Sequence, residues 1–489
     1  LSPRAPYAVI VGTGFAGLGM AMAFERARIP YVLLERASDV GGTWRDNDYP
    51  GCGCDIPSML YSFSSVPAAD WTRIYPEQRE IHAYLQRVAA QSGVREHIVF
   101  NANVVDARFD DASAMWTIRT NAGATYTARV FVSAVGGLSN PAYPEIPGLA
   151  SFAGPAFHSS RWDYDVDLRG KRVAVIGTGA SAIQFVPRIA PDVAELTLFQ
   201  RTPPWIVPRM DADVSPRKRL LRRFVPFYAR AVRAAIYWTL EARAYAFTVN
   251  TKVLASNERF ALSHLRRQVK DPELRAKLTP DYRMGCKRIL ISDDYYPALA
   301  RDNVEVVTAS ITEVRPHGVV TDDGVEHPAD VLVFGTGFRA QDLPGPVAIR
   351  GRAGLDLRDA WRDAVTSYLG ISVAGFPNMF LLVGPNTGLG HNSMVVMIEA
   401  QIAYVLDTVR TMRRRGLAAV DVRDDAQRAF GDRVANKSTT TVWSSGCRSW
   451  YLDAQGRNTT LWPGFTFVYR WLTRRFARGA YAVTRARRY

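Results

Sequence analysis

The feature that most constrains this chain is a pair of glycine-rich turns, each set between an apolar strand and a helix. The first is Gly12-Thr-Gly14-Phe-Ala-Gly17. It follows the buried-strand run Tyr7 to Val11 directly and opens a helix pattern through Ala27, after which Tyr31 to Glu35 reads as a second strand. Gly12 permits the tight turn, Gly14 lets a pyrophosphate reach the backbone, and Gly17 lets helix and strand pack closely. Glu35 ends the second strand, where it is placed to accept from a ribose hydroxyl. Strand, helix and terminal Glu together make a weak glycine pattern a specific one.

The second unit spans Arg172 to Gln200. Its turn is Gly177-Thr178-Gly179-Ala180-Ser181-Ala182, with alanine in the third glycine place, a change this fingerprint tolerates. Where Glu35 stands in the first unit, this one has Gln200-Arg201. A carboxylate there repels a 2′-phosphate, whereas Arg binds one bidentately. The pair therefore reads as FAD in the first site and NADPH in the second, although an Arg just past a strand also occurs as an ordinary surface cation. Each unit has a return strand ending in glycine, Thr125 to Gly136 and Ala329 to Gly337.

The expected fold is α/β, with two Rossmann-like dinucleotide-binding domains and a helical insertion in the second. The expected boundaries are 1–150 for the first part of the FAD domain and 151–170 for a linker. The NADPH domain follows over 171–338, with its insertion at about 203–281. Residues 339–489 return to the FAD domain and end in a basic tail. The insertion carries Phe224, Tyr228, Ala231, Ala235 and Trp238 at near-helical spacing, which predicts an amphipathic helix. Its apolar face is expected to pack on the second domain; the alternative is that part of it lines an entry to the flavin.

Net charge is +15, carried mostly by arginines spread along the chain, so it is weak support for a polyanionic partner. No zinc-finger or basic-aromatic RNA motif is found, and nucleic acid is not expected. Cys52, Cys54, Cys286 and Cys447 suggest no metal site and no disulfide framework, which points to a reducing, cytoplasmic compartment. The apolar stretch Ala8 to Phe24 follows the phosphate-loop pattern rather than that of a signal peptide. No other apolar run reaches the ~18 residues a bilayer span needs. The chain begins at Leu1, so a few leading residues are expected before it. The tail Tyr469 to Phe476 mixes basic and aromatic residues and suits weak contact with a membrane surface, or an ordinary packed helix.

Between the two units lies Phe152-Ala-Gly154-Pro-Ala-Phe-His158-Ser-Ser-Arg-Trp162-Asp163. It meets every position of F-x-G-x-x-x-H-x-x-x-W followed by Pro or Asp, the fingerprint of type I Baeyer–Villiger monooxygenases, and the chain resembles that family over nearly its whole length. Gly41-Gly-Thr43-Trp44 resembles the flavin-contacting turn, and Tyr49-Pro-Gly-Cys-Gly-Cys-Asp55 the segment with the active-site aspartate. Gly285-Cys-Lys287-Arg288 resembles the segment with the active-site arginine and a lysine that contacts NADPH. Gly384 to Asn392 resembles a late flavin-side loop, and Ser449-Trp450-Tyr451 the mobile segment whose tryptophan closes over the nicotinamide. Gly335 departs from the more usual alanine.

The resemblance implies conversion of a ketone to an ester or lactone, with NADPH and O2 consumed and oxygen delivered as a peroxide on the flavin. Arg288 is the expected cation for that peroxide and Asp55 its counter-ion. Thr43, Trp44, Asp55 and Tyr61 are expected at the flavin; Arg201 and Lys287 are expected at the 2′-phosphate. Trp450 serves as a lid against water. The fingerprint, Phe152, Gly154, His158, Trp162 and Asp163, is expected to support domain geometry. No metal is expected. A flavin monooxygenase acting on sulfur or nitrogen is the nearest rival, but it needs no Arg beside the flavin. A pyridine-nucleotide disulfide reductase would use Cys52 and Cys54 as its redox pair, and their spacing does not fit. A lipophilic, bulky ketone is expected as substrate.

Overall fold

The computed structural model describes residues 6–339, 347–447 and 449–486. The expectation about what precedes Leu1, the end of the basic tail and the stretch 340–346 fall outside those residues. The first unit forms as the sequence reads: β1 (Ala8–Val11), α1 (Phe15–Arg26) and β2 (Tyr31–Leu34), followed by β3 (Ile98–Val99) and β4 (Val130–Ser133). The run expected as one return strand is two. Thr125–Ala128 joins an antiparallel sheet with Val104–Asp110 and Met115–Thr120, and Arg129 leads into β4 in a different sheet.

β5 (Ala156–His158) comes from the fingerprint segment. β6 (Arg172–Ile176), α2 (Ala182–Ile189) and β7 (Glu195–Phe199) form the second unit, and the insertion supplies α3 (Pro216–Phe224) and α4 (Pro226–Thr248). β8 (Val304–Val307) and β9 (Val331–Phe334) complete the second sheet, in the parallel order β8-β7-β6-β9-β5. The chain then returns to the first sheet with β10 (Met379–Leu381), giving the parallel order β10-β4-β1-β2-β3. α5 (Met394–Arg415) covers this sheet beside α1, and α6 (Thr466–Leu472) packs on α5. Strands buried on both faces explain why both units read as unbroken apolar runs rather than alternating ones.

The insertion helix differs from expectation in two ways. Phe224 closes α3 and shares no helix with Tyr228, because Pro226 starts a new one at the position where its missing N–H costs nothing. α4 packs on the first domain's core, not the second's. Tyr237 and Leu240 are buried in that core, with Val232 and Ile236 against it. Arg233, which looks like an interruption in the sequence, donates from Nη1 to the Met59 carbonyl at 2.8 Å and anchors the crossing.

Candidate active site

The first glycine turn is a close-contact cradle. A Cβ on Gly17 would lie 1.7 Å from the Gly12 carbonyl oxygen, and one on Gly12 would lie 2.7 Å from that of Ala134. Gly14 is different: a Cβ there meets nothing nearer than the Gly42 Cα at 3.9 Å. Gly41 and Gly42 both have positive φ and carry the chain into the short helix Thr43–Asp46. The two backbones thus pass in close contact, a Cβ on Gly42 falling 3.1 Å from the Gly14 Cα, and the side-chain-free turn this makes at the head of α1 fits the pyrophosphate of FAD. Glu35 stands at the end of β2, but each of its oxygens already has two donors. Thr13 N and Oγ1 donate to one, and Ala37 N and Arg45 Nη1 to the other. A ribose hydroxyl there would take the place of the rotatable Thr13 hydroxyl. Trp44 Nε1 donates to the Tyr61 hydroxyl at 3.0 Å, with the rings edge to face at 5.5 Å.

The second turn repeats the geometry. Gly177 has φ +107°, and its Cβ would lie 2.5 Å from the Gly335 carbonyl oxygen. A Cβ at Gly335 would meet Ala182 Cβ and the Gly177 carbonyl oxygen at 3.3 Å, so the family's alanine fits only with a small shift. Gly179 and Ala180 are exposed at the head of α2, and Thr178 Oγ1 donates to the Thr202 carbonyl at 3.1 Å. Arg201 is exposed just past β7. Lys287 comes close enough that, after burial, the Arg201 charge is the main influence pushing its pKa down. Two cations held together against their repulsion suit a doubly charged phosphate, and this site fits NADPH.

Between the two turns stands Arg288. Its Nε donates to Asp55 Oδ2 at 2.9 Å, and its Nη2 pairs with the same oxygen. Nη1 faces the Leu389 carbonyl at 3.5 Å. The Asp55 charge, more than burial, sets the guanidinium's pKa, which is raised. The two side chains are 32% and 28% accessible. Cys54, Leu389 and Tyr451 lie around the guanidinium. The buried Tyr451 hydroxyl lies beside it without a hydrogen bond of ordinary geometry. Trp450, its ring tilted by 56° against that of Tyr451 with centroids 4.6 Å apart, is 47% exposed. Next to the pair is an apolar cluster of Ala246, Phe247, Leu254, Trp443, Tyr451 and Leu461, to which α4 contributes its last turn.

His158 is fully buried at the end of β5. Its Nδ1 accepts from Ser160 N at 3.1 Å, so Nε2 carries the proton and donates to the Gly337 carbonyl at 2.9 Å. Burial pushes its pKa down, leaving a neutral bracket between the fingerprint and the second return strand. Gly154 sits where a Cβ would lie 2.1 Å from the Asp330 carbonyl oxygen, and Phe152 packs partly buried beside it. Trp162 lies against Phe157 and Phe185, both at 5.3 Å, and Asp163 caps a turn through Asp165 N. None of the five is at Arg288.

Three features escaped the sequence reading. Gln184 on α2 accepts from the Tyr49 hydroxyl and Gly53 N and donates to the Gly53 carbonyl, tying the second unit to the Asp55 loop. Glu241 on α4, 2% exposed, accepts from Asn392 Nδ2 and Thr466 Oγ1 and so links the insertion to the late loop and to α6. Burial pushes its pKa up, but His391, 3.7 Å away, and the donors Thr466 and Asn392 outweigh this and hold it low. The third is a correction: Cys286 and Cys447 are bonded, with Cα atoms 6.3 Å apart. Their separation of 161 residues hid a pairing that only folding creates. The inference of a reducing compartment from the cysteines therefore fails. Cys52 and Cys54 remain free and buried; burial pushes the Cys52 thiol up to about 12 and the Cys54 thiol up as well, the reverse of a reactive redox pair. Among the described residues, no helix is long and apolar enough to cross a membrane, and no cluster of His, Cys, Asp and Glu is placed to hold a metal.

The sequence matches the flavin-binding monooxygenase-like family model over residues 6–344. It is 48% identical over 478 residues to a Baeyer–Villiger monooxygenase of Pseudomonas aeruginosa, covering 97% of this chain and 91% of the relative. It is 49% identical over 479 residues to one of Streptomyces coelicolor, covering 97% and 92%. Among solved structures it resembles an oxidized steroid monooxygenase bound to NADP (TM-score 0.88, 30% identity, 99% and 100% covered). It also resembles OTEMO in complex with FAD and NADP (TM-score 0.89, 29% identity, 99% and 100% covered). A fold with two dinucleotide cradles and an Arg–Asp pair between them, matched nearly end to end at this identity, belongs to the flavin-binding monooxygenase-like family and, within it, to the Baeyer–Villiger monooxygenases that use FAD, NADPH and O2.

Proposed function

We propose that Arg288 and Asp55 are the catalytic pair of this monooxygenase and that its substrate is a bulky, lipophilic ketone. The observation that carries this is the double contact of Arg288 Nε and Nη2 with one Asp55 oxygen, beside an apolar cluster. Bound FAD supplies the reduction by NADPH and the activation of O2. What the chain adds is a guanidinium that cannot lose its proton, held at a fixed angle by Asp55, where negative charge develops during oxygen transfer. Asp55 also offsets the cost of desolvating that cation. A sulfur- or nitrogen-oxygenating flavoenzyme has no use for such a cation, and the raised thiol pKa values of Cys52 and Cys54 oppose a disulfide reductase.

The flavin-side residues are Gly12, Gly14, Gly17, Glu35, Thr43, Trp44, Asp55 and Tyr61. The NADPH-side residues are Gly177 to Ser181, Arg201 and Lys287, with Trp450 as the lid. We take residues 1–150 and 339–489 as the FAD domain, 171–338 as the NADPH domain, and 151–170, with its fingerprint, as the join. The need for NADPH, rather than the cysteines, supports a cytoplasmic location. A cleft of about 580 Å³ lies elsewhere, lined by Asp48, Tyr49, Arg188 and Arg209. Its charged walls do not suit a ketone, and we place the substrate on the Arg288 side. Burying apolar surface there gains roughly 25 cal/mol per Å². Specificity constants for acetone-, cyclohexanone- and steroid-sized ketones, with products identified by mass, test this. A constant that rises with size supports it; one that falls steadily with size overturns it.

A further inference from the structure

α3 and the outer side of α4 present to solvent what folded helices usually bury. No residue of α3 is buried, and Leu220, Leu221 and Phe224 are 56%, 44% and 69% exposed. On α4, Phe227, Trp238 and Tyr245 are 11 and 18 residues apart along the helix. At 3.6 residues per turn they fall on one line, within about 20° of each other. They are 79%, 57% and 46% exposed, while Tyr237, Leu240 and Ala244 on the opposite side are buried. α6 extends the same surface: its Phe467 ring lies 6.1 Å from that of Trp238, and Trp471 is 60% exposed. A contiguous aromatic surface of this kind marks a contact site on a folded protein.

The charge around it is one-sided. Residues 215–250 hold eight Arg or Lys and a single acid, Glu241, which is buried. Five of the eight are on α3: Arg217, Lys218, Arg219, Arg222 and Arg223. Residues 465–486 add five arginines and no acid. Just ahead of α3, Asp211 and Asp213 are both paired with Arg73. Aromatic side chains flanked by such an excess of cations suit the headgroup region of an anionic bilayer, where rings enter the interface and guanidinium groups meet phosphates. They suit duplex nucleic acid less well, because a row of exposed Phe and Trp has no partner in a phosphate backbone.

We propose that α3, the outer line of α4 and α6 form a docking surface for anionic phospholipid bilayers. The surface lies on the helix whose last turn joins the apolar cluster beside Arg288, so docking would bring that site toward a membrane-dissolved ketone. The last step rests on the lipophilic-substrate reading; the docking itself does not.

The test is co-sedimentation of the FAD-loaded enzyme with phosphatidylcholine vesicles, with and without one-third phosphatidylglycerol. Binding is expected only to the anionic vesicles, weakened at least tenfold by Phe227→Ser with Trp238→Ser and, separately, by Arg217→Glu with Arg223→Glu. All four residues are exposed and none belongs to the cofactor turns or to the Arg288 site, so turnover of cyclohexanone in detergent-free buffer stays at the wild-type rate and reports correct folding. No binding by the wild type overturns the proposal. So does binding that the aromatic pair leaves unchanged, or a dimer in sedimentation velocity that Trp238→Ser dissolves, which would assign the face to a second copy. If bulky ketones prove poor substrates while vesicle binding holds, the substrate reading falls and the docking surface stands.

Discussion

Replacing Arg288 with Ala is expected to separate the two halves of the reaction. Arg288 donates twice to Asp55. Removing a preorganised donor to a developing oxyanion costs about 3–4 kcal/mol, or 10²–10³ in rate. A unit-charge pair at about 4 Å is worth ~4 kcal/mol at an effective dielectric of ~20. Orphaning one member of a buried pair costs about 3–5 kcal/mol of stability. With 32% and 28% of the two side chains accessible, the stability loss should be nearer 2 kcal/mol. Arg288→Ala should therefore fold, melt a few degrees lower and still be reduced by NADPH in stopped-flow measurements. Its ester yield per NADPH should fall at least 100-fold, with hydrogen peroxide appearing in place of ester. Arg288→Lys, which keeps the charge but loses the planar fork, should be intermediate. A wild-type ester yield from Arg288→Ala would refute the assignment.

Four further outcomes follow from the geometry. Arg201→Ala should raise KM for NADPH about tenfold while leaving that for NADH nearly unchanged, as expected for loss of one phosphate-binding cation; an equal effect on both would contradict the phosphate contact. Because the Lys287 pKa is pushed down, its charge is lost as pH rises, so the preference for NADPH should weaken toward alkaline pH in the wild type and less so in Lys287→Arg. His158 is buried neutral with a depressed pKa, so its contribution to stability is intact above the unfolded value of about 6.5 and falls as pH drops below it. Melting temperature should decline from pH 7.5 to 5.5 less steeply in His158→Gln, and His158→Ala should keep FAD but slow the coupled reaction. Cys447→Ser removes the link between the segment of Trp450 and that of Arg288, and should raise hydrogen peroxide release without altering flavin reduction; unchanged coupling would show that the link does not restrain the lid.

Much of this architecture is local and so could be read from sequence. Each glycine turn needs only its own strand and helix to be recognised, and Gly12 and Gly177 are required where any Cβ would strike a neighbouring carbonyl. Arg288 and Asp55 were matched as separate motifs, but nothing in the spacing between them says that they touch. What the sequence hid is long-range. The Cys286–Cys447 bond, the Gln184 clamp on Gly53 and the Glu241 junction each join residues more than 130 positions apart. The side on which α4 packs was misjudged for a related reason. An amphipathic pattern shows that a helix has a face to bury but not which core receives it, and here the Arg233 bond to Met59 helps decide.

In the proposed reaction one atom of O2 is placed beside a ketone carbonyl at the Arg288 site. Turnover of a cyclic ketone under ¹⁸O2 with NADPH tests it most directly, with product mass and NADPH consumption recorded together. The expected product is a lactone heavier by one labelled oxygen, formed in one-to-one proportion with NADPH by the wild type and lost in Arg288→Ala. Unlabelled product, or label that appears only in a sulfoxide or N-oxide when such substrates are supplied, would contradict it.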